Sequence, residues 1–133
     1  MAKQRPPRLI ALLLLALPWL GGCREAETGP PRLDWYVFEE PSGAFASAAR
    51  NCGDASGGDY RVVIQPLPAD ADQQHEQLAR RLAAADPSID LIGMDVIWTA
   101  EFARAGWVIP WPDDLAGSVR EGRLGPAVQS ASY

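Results

Sequence analysis

The chain has 133 residues, of which 47% are hydrophobic and 22% are charged. This is the composition of one ordinary folded domain, and it excludes a disordered or collagen-like chain. There are 12 basic and 17 acidic residues, which gives a formal net charge of -5. A nucleic-acid-binding protein needs a basic surface, so this balance disfavours a nucleic-acid partner.

The N-terminal residues have the layout of an export signal. Met1–Arg8 is basic, Leu9–Leu17 is continuously apolar, and Pro18 ends the apolar run. A membrane-spanning helix needs about 20 apolar residues, so a run this short favours a cleaved signal over a permanent span. We therefore expect residues 1–22 to be a signal peptide.

The sequence Leu-Gly-Gly before Cys23 resembles the lipobox of bacterial lipoproteins. The resemblance implies that Cys23 becomes the new N-terminus and carries a lipid, which would anchor the protein to the outer face of the cytoplasmic membrane. The alternative is a plain cleaved signal with Cys23 as an ordinary thiol. Residues 23–32 are polar and contain Pro and Gly, so they are predicted to form a tether to a folded part at residues 33–133.

The folded part alternates short apolar runs with helical patterns. Strands are predicted at Leu33–Phe38, Tyr60–Gln65 and Ile89–Gly93. Helices are predicted at Ser42–Asn51, from Asp70 or Asp72 to Ala85, at Trp98–Ala105 and at Asp113–Val119. The residues Val108–Pro112 before the last helix are predicted to be extended. Pro66 is expected to stop the second strand. Ser42 is expected to cap the first helix. This alternation predicts the α/β class, with a parallel sheet and helices on both of its faces.

Apolar spacing also predicts which side chains are buried. The expected inner positions are Phe45, Ala46, Ala48 and Ala49 on the first helix, and His75, Leu78, Ala79, Leu82 and Ala83 on the second. Trp35 is expected in the core, and Trp107 and Trp111 are expected to pack against the sheet.

A ligand crevice is expected at the carboxyl ends of the strands. If the first two helices cross in opposite directions, the strand order is 2-1-3 and the crevice lies between the first and third strands. Acidic side chains and an indole meeting there suit a polyol, because carboxylates accept hydrogen bonds from hydroxyls and an indole covers the apolar face of a pyranose. The candidate ligand contacts in the two loops are Asp95, Trp98, Glu39, Glu40 and Ser42. Alternatively, Asp95 caps the third helix, Trp98 packs in the core, and the two glutamates are solvated.

No pattern predicts catalysis, a metal or a cofactor. The sequence has no GxSxG, HExxH, GxGxxG or P-loop motif. His75 is expected to pack on the inner face of its helix, away from the crevice, and Asp113 and Asp114 to cap a helix. Residues 54–59 suit a turn better than a calcium loop. Cys52 is expected to be a buried thiol or to be bonded to a group outside this chain.

Residues 67–111 resemble the N-terminal lobe of the family 1 extracellular solute-binding proteins, the sugar-capturing lipoproteins of ABC importers, and in particular the trehalose- and maltose-type binders. The resemblance rests on the helix QLARRLAA, a strand followed by Asp, the sequence DVIW, and the Glu-Phe and Ala-Gly-Trp that follow it. It extends over nearly all of residues 33–133. It implies a type II periplasmic-binding-protein-like fold with two α/β lobes. Family members are much longer, so this chain is expected to be a fragment that holds part of the N-terminal lobe.

The resemblance implies a monomeric receptor that captures a di- or oligosaccharide such as trehalose or maltose. It would deliver the sugar to the membrane subunits of an ABC permease, without enzyme activity or a cofactor of its own. Two alternatives stay open. A lipid-anchored glycoside-active enzyme would use paired carboxylates on the sugar and turn it over. A structural or signalling lipoprotein would show no saturable sugar binding.

Overall fold

The structure, a computed structural model, describes residues 29–133. The predicted signal peptide and the predicted lipidation at Cys23 lie outside the described residues. The elements in chain order are β1 Arg32–Phe38, α1 Ala44–Ala55, β2 Arg61–Leu67, α2 Ala71–Ala83, β3 Leu91–Ile92, a 3₁₀ turn Val96–Trp98, α3 Thr99–Arg104, α4 Asp113–Arg120 and α5 Gly125–Ser130. Within residues 29–133, none of these helices is long and apolar enough to cross a membrane.

The strands form one parallel sheet with β1 at its centre. The order is β2-β1-β3, and Trp35 of β1 lies opposite Ile64 on one side and Leu91 on the other. Only two residues of β3 are in regular pairing, although Gly93 N also donates to the Tyr36 carbonyl at 2.8 Å. The α/β class and the 2-1-3 order predicted from the sequence are therefore confirmed.

The start of α1 differs from the prediction. Gly43, at a φ of 77°, is the N-cap, and the Glu40 carboxylate accepts hydrogen bonds from Ser42 N at 2.7 Å and Ala44 N at 2.8 Å. The predicted cap at Ser42 is therefore wrong: its hydroxyl lies 3.3 Å from Ala44 N and supplements the stronger contact from Glu40.

The helix α1 also runs four residues beyond the predicted end at Asn51. It ends where the Ser56 hydroxyl donates to the Gly53 carbonyl at 2.7 Å and the chain turns at Gly57, so residues 54–59 complete the helix and form the predicted turn. On this longer helix Ala49 is buried, but Ala48 and the free thiol of Cys52 face solvent. The prediction that Ala48 is buried is therefore wrong, and so is the buried-thiol alternative for Cys52.

The strand β2 continues through Pro66, which was expected to stop it. Pro66 lies opposite Val37, and the strand ends at Leu67, which is buried. A proline is tolerated here because β2 is at the edge of the described sheet, where a missing N–H costs no ladder hydrogen bond on the outer side.

The helix α2 begins as predicted. The Asp70 carboxylate accepts a hydrogen bond from Gln73 N at 3.0 Å. The helix ends at Ala83, two residues before the predicted end, and the chain turns at Ala85, which has a φ of 52°. Ala83 faces solvent instead of the core, because the inner face of the helix is centred on Leu78 and includes Gln74.

The main core lies between the sheet and the helices α2 and α3. Its buried members are Tyr36, Leu67, Leu78, Trp98 and Phe102. Trp107 packs edge-on against Phe102 with ring centroids 5.3 Å apart, as expected. Trp35 is only half-buried, because it lies on the opposite face of β1, where it contacts Phe45 of α1. The prediction that Trp35 lies in the core is therefore wrong.

The C-terminal elements are mostly exposed. Residues 108–112 are not helical, as predicted, and α4 begins at Asp113. The N-cap of α4 is Pro112, so Asp113 and Asp114 lie in the first turn and are not caps. No residue of α4 or α5 is buried, and α5 was not predicted. Trp111 is 60% exposed, so the prediction that it packs on the sheet is wrong.

Candidate functional site

A cleft of about 470 Å³ opens at the carboxyl ends of β1 and β3. This is the position predicted for the crevice from the strand order. Its lining residues come from both sheet faces and from the chain segments around them: Trp35, Val37, Phe38, Phe45, Ala69, Ala71, Gln74, Gly93, Met94, Asp95 and Trp98. The structure therefore brings together two of the candidate ligand contacts, Asp95 and Trp98.

Gly93 lets β3 approach β1 closely at the floor of this cleft. A Cβ atom on Gly93 would lie 2.6 Å from Cγ2 of Val37, which is itself 2% exposed. Real Cβ atoms essentially never come that close to a neighbour, so a side chain at this position would push the strand ends apart. The width of the cleft thus depends on the absence of a side chain at Gly93.

Asp95 follows β3, and its two carboxylate oxygens have different surroundings. Its Oδ1 accepts a hydrogen bond from Ile97 N at 3.2 Å and so caps the 3₁₀ turn, whereas the alternative interpretation placed this cap on the third helix, whose N-cap is Trp98. Its Oδ2 accepts no hydrogen bond from any residue in the described part of the chain. Because Asp95 is exposed and lines the cleft, this oxygen is available to a ligand hydroxyl.

Gln74 is the buried polar residue of the cleft. It is 7% exposed, and its Nε2 donates a long hydrogen bond of 3.4 Å to the Ala69 carbonyl. Its Oε1 has no partner among residues 29–133, and no side-chain polar atom in that range is both fully buried and unpaired. The Oε1 atom is therefore reachable by solvent, and the cleft is the cavity that Gln74 lines.

Four aromatic rings also line the cleft, those of Trp35, Phe38, Phe45 and Trp98. Phe45 contacts both Trp35 and Phe38, with ring centroids 5.3 Å apart in each pair. Trp98 is 7% exposed and stacks on Phe102 at 6.1 Å, so it belongs to the core and to the cleft at once. An aromatic surface beside polar groups is well suited to the apolar C–H face of a sugar ring.

The other candidate contacts lie apart from Asp95. Glu39 and Glu40 line a neighbouring cleft of about 310 Å³, and Phe38 and Phe45 form part of both clefts. Glu40 is occupied by its hydrogen bonds at the start of α1, and the hydrogen bonds from Ser42 hold the pKa of its carboxyl below the usual value. Ser42 lines neither of the two clefts.

His75 lies closer to the cleft than the sequence suggested. Its ring contacts the indole of Trp98 edge-on, with centroids 5.2 Å apart, and its Nε2–H donates to the Glu101 carboxylate at 2.8 Å. His75 does not line the cleft, as the sequence led us to expect, but it contacts Trp98, which does.

The cleft has few polar side chains. Its lining contains one carboxylate and one amide and has no Lys, Arg, His or Cys. Among residues 29–133 no group of three or more His, Cys, Asp or Glu side chains could hold a metal ion. The side chains that line the cleft can accept and donate hydrogen bonds and can cover the apolar face of a ligand.

Sequence reasoning missed Gln74, Trp35 and Phe45 as cleft residues. The signal for Gln74 was its position one helical turn before Leu78, on the buried face of α2. Trp35 and Phe45 were predicted to pack in the interior. The contact between Trp35 of β1 and Phe45 of α1 could not be deduced from residue spacing alone. No protein-family model matches the chain.

Proposed function

We propose that the protein is a lipid-anchored receptor that binds a neutral di- or oligosaccharide, of the trehalose or maltose kind, for an ABC importer. One observation carries the proposal: Asp95 Oδ2 and Gln74 Oε1 are unengaged acceptors in the same cleft, beside the rings of Trp35 and Trp98. Acceptors next to aromatic faces are the complement of a pyranose, which has hydroxyl groups at its rim and C–H groups on its face.

The charge of the cleft favours a neutral ligand. Asp95 is its single ionisable side chain, and no cationic side chain lies beside it. A sugar phosphate or a uronic acid would bring its own negative charge towards Asp95 without a cation to offset the repulsion. We therefore expect neutral disaccharides to bind and their acidic analogues to bind much more weakly.

A receptor is favoured over a glycoside-active enzyme by the placement of the acids. Glycosidases flank the scissile bond with two carboxyl groups. Here Asp95 lines one cleft, whereas Glu39 and Glu40 line another, and Glu40 is held by the start of α1. Binding without turnover needs only complementarity and closure, and the cleft residues are suited to that.

The proposed transport role follows from the family resemblance of residues 67–111. In this proposal, residues 33–133 form part of the N-terminal lobe of a type II periplasmic-binding-protein-like fold. A sugar held by Asp95 and Gln74 would be enclosed when a second lobe closes on it, and the sugar stabilises the closed state by contacting both lobes. The closed receptor would then dock on the permease, where ATP is hydrolysed by other subunits.

The test is a titration of the protein made from the complete open reading frame that encodes this sequence, whether that frame stops at Tyr133 or continues beyond it. Isothermal titration calorimetry would measure maltose and trehalose, and would compare maltitol with maltobionate, two open-chain analogues of maltose that differ only in a CH₂OH group replaced by a carboxylate. Chromatography of the ligand after incubation measures turnover.

We expect saturable binding of at least one neutral disaccharide, at least about ten-fold weaker binding of maltobionate than of maltitol, and recovery of the sugar unchanged. Hydrolysis of the sugar would support the enzyme alternative. An absence of saturable binding to any neutral di- or oligosaccharide would contradict the proposal and favour a structural or signalling lipoprotein.

A further inference from the structure

His75 and Glu101 form a contact between α2 and α3 just outside the cleft. The Nε2–H of His75 donates to Oε2 of Glu101 at 2.8 Å, and the two residues are 26 positions apart in the sequence. The His75 side chain is 31% exposed and that of Glu101 is 51% exposed, and neither residue lines the cleft. The contact therefore links α2, which lines the cleft through Gln74, to α3, which directly follows the cleft residue Trp98.

The imidazole of His75 also packs on the aromatic cluster that supports the cleft. Its centroid lies 5.2 Å from that of Trp98 and 5.7 Å from that of Phe102. The indole of Trp98 thus has Phe102 stacked on it and the edge of His75 against it. The hydrogen bond to Glu101 fixes the orientation of the imidazole. The imidazole in turn restricts the position of the Trp98 indole on the side where the two rings meet.

The same arrangement determines how far α2 lies from Trp98. Gln74 and His75 are adjacent residues of α2. Gln74 lines the cleft, and the ring of His75 packs against the indole of Trp98. Asp95 caps the 3₁₀ turn that contains Trp98. A shift of α2 away from α3 would therefore separate Gln74 from Trp98 and Asp95.

We propose that His75 and Glu101 are a positioning pair for the ligand cleft. They hold the Trp98 indole and α2 at a fixed separation, so that ligand affinity depends on a hydrogen bond that no ligand touches. The ligand part of this inference rests on the proposed sugar-binding function.

The experiment uses the protein from the complete reading frame and two measurements on each variant. The first is the indole ¹H–¹⁵N resonance of Trp98, assigned with Trp98→Phe, in the absence of ligand. The second is the affinity for the neutral disaccharide that the wild-type protein binds. The test variants are His75→Phe, which keeps an aromatic ring without the hydrogen bond, and Glu101→Ala. Glu101→Gln retains an acceptor for His75 and serves as the conservative rescue.

A matched control is provided by an exposed ion pair within α2. Arg80 and Glu76 are 3.7 Å apart on the exposed face of the helix, with side chains 71% and 68% exposed. Glu76→Ala removes a carboxylate from the same helix without touching Trp98.

We expect Glu101→Ala, which leaves the His75 ring in place, to shift the Trp98 resonance. Both Glu101→Ala and His75→Phe should weaken sugar binding about five-fold or more, a factor within the range of one lost hydrogen bond. Glu101→Gln should stay near wild type in both measurements, and so should Glu76→Ala. An unmoved Trp98 resonance, or unchanged affinity despite a moved resonance, would overturn the proposal. If the wild-type protein binds no sugar, the proposed function fails instead, and the ligand-free resonance still decides whether the pair holds the indole.

Discussion

At the scale of single residues, the two oxygens of Asp95 have different roles. Oδ1 caps the 3₁₀ turn and Oδ2 is open to the cleft. We predict that Asp95→Ala weakens the binding of the neutral disaccharide by about 1–3 kcal/mol, because an acceptor for the sugar hydroxyls is lost. Isothermal titration calorimetry of the two proteins measures the difference.

The control for this prediction is Asp113→Ala. Asp113 is also an exposed acid near the start of a helix, but it does not line the cleft. The Asp113→Ala variant should bind the neutral disaccharide with the affinity of the wild type. Circular dichroism of both variants checks that the fold is intact, since Asp95 is a cap. If Asp95→Ala keeps the fold and binds the sugar as the wild type does, Asp95 does not belong to the site.

Gly93 carries a prediction about stability. In Gly93→Ala the new Cβ would lie 2.6 Å from Val37 Cγ2. We expect this overpacking to lower the free energy of unfolding by about 1–3 kcal/mol, measured by urea denaturation. The comparison variant is Gly117→Ala in α4, where a Cβ meets nothing within 4 Å. It should be neutral or stabilising, because alanine favours a helix. Equal stability of the Gly93→Ala protein and the wild type would contradict the close approach of β3 to β1.

The sequence predicted the cleft residues that follow strands and missed those that line it from helices and strand interiors. Asp95 and Trp98 could be found because strand ends meet at one edge of a parallel sheet. Gln74 was missed because its polarity favours an exposed position, although its spacing from Leu78 places it on the buried face of α2. Strand periodicity shows that Trp35 faces a helix layer, but it does not show how completely that layer covers it. The helix on this face, α1, is rich in alanine and leaves Trp35 half-buried.

At the scale of elements, a polar network joins the end of α2 to the sheet. Arg81 donates hydrogen bonds to Asp86 at 2.8 Å and to Tyr36 and Ser88 at 2.9 Å each. Hydrogen bonds from the backbone and side chain of Ser88 and from Arg81 lower the pKa of Asp86 to about 2. The network fixes the connection between α2 and β3 and therefore the position at which β3 joins β1.

This lowered pKa predicts how stability depends on pH. The folded-state pKa of Asp86 lies below the unfolded value of about 3.8, so its contribution is present above about pH 4 and is lost as the pH falls towards 2. We expect Asp86→Asn to be less stable than wild type at neutral pH, with the difference shrinking between about pH 4 and pH 2.

Thermal denaturation across this pH range makes the measurement. Asp59→Asn is the control, because Asp59 is exposed, lies outside the helices and makes no side-chain hydrogen bond within residues 29–133. It should leave the pH profile unchanged. A constant difference between wild type and Asp86→Asn from neutral pH to pH 2 would contradict the role given to the network.

Element boundaries were harder to predict than element order. The order β-α-β-α-β and the parallel arrangement follow from alternating patterns. The end of α1 depends on the Ser56 hydroxyl, and the length of β2 depends on its place at the sheet edge, where Pro66 is tolerated. Both depend on tertiary context, which the local sequence does not contain. Likewise α5 begins with Gly125 and Pro126, a pair that predicts a turn at least as well as a helix.

At the scale of the whole molecule, the proposed function includes a lipid on Cys23 that anchors the protein to the outer face of the cytoplasmic membrane. We predict that Cys23→Ala abolishes the incorporation of a radiolabelled fatty acid in the producing cells. The matched variant is Cys52→Ala, which removes the exposed thiol of α1 and should leave lipidation intact. Labelling that survives Cys23→Ala and disappears in Cys52→Ala would reverse the assignment.

The central claim is that the cleft at the ends of β1 and β3 holds a neutral sugar. The measurement that tests it most directly is an experimental structure of the complete-frame protein with maltose or trehalose bound. The account predicts a sugar hydroxyl within hydrogen-bonding distance of Asp95 Oδ2 or Gln74 Oε1, with a pyranose ring against Trp35 or Trp98. A sugar bound elsewhere, with this cleft filled only by water at saturating ligand, would contradict it.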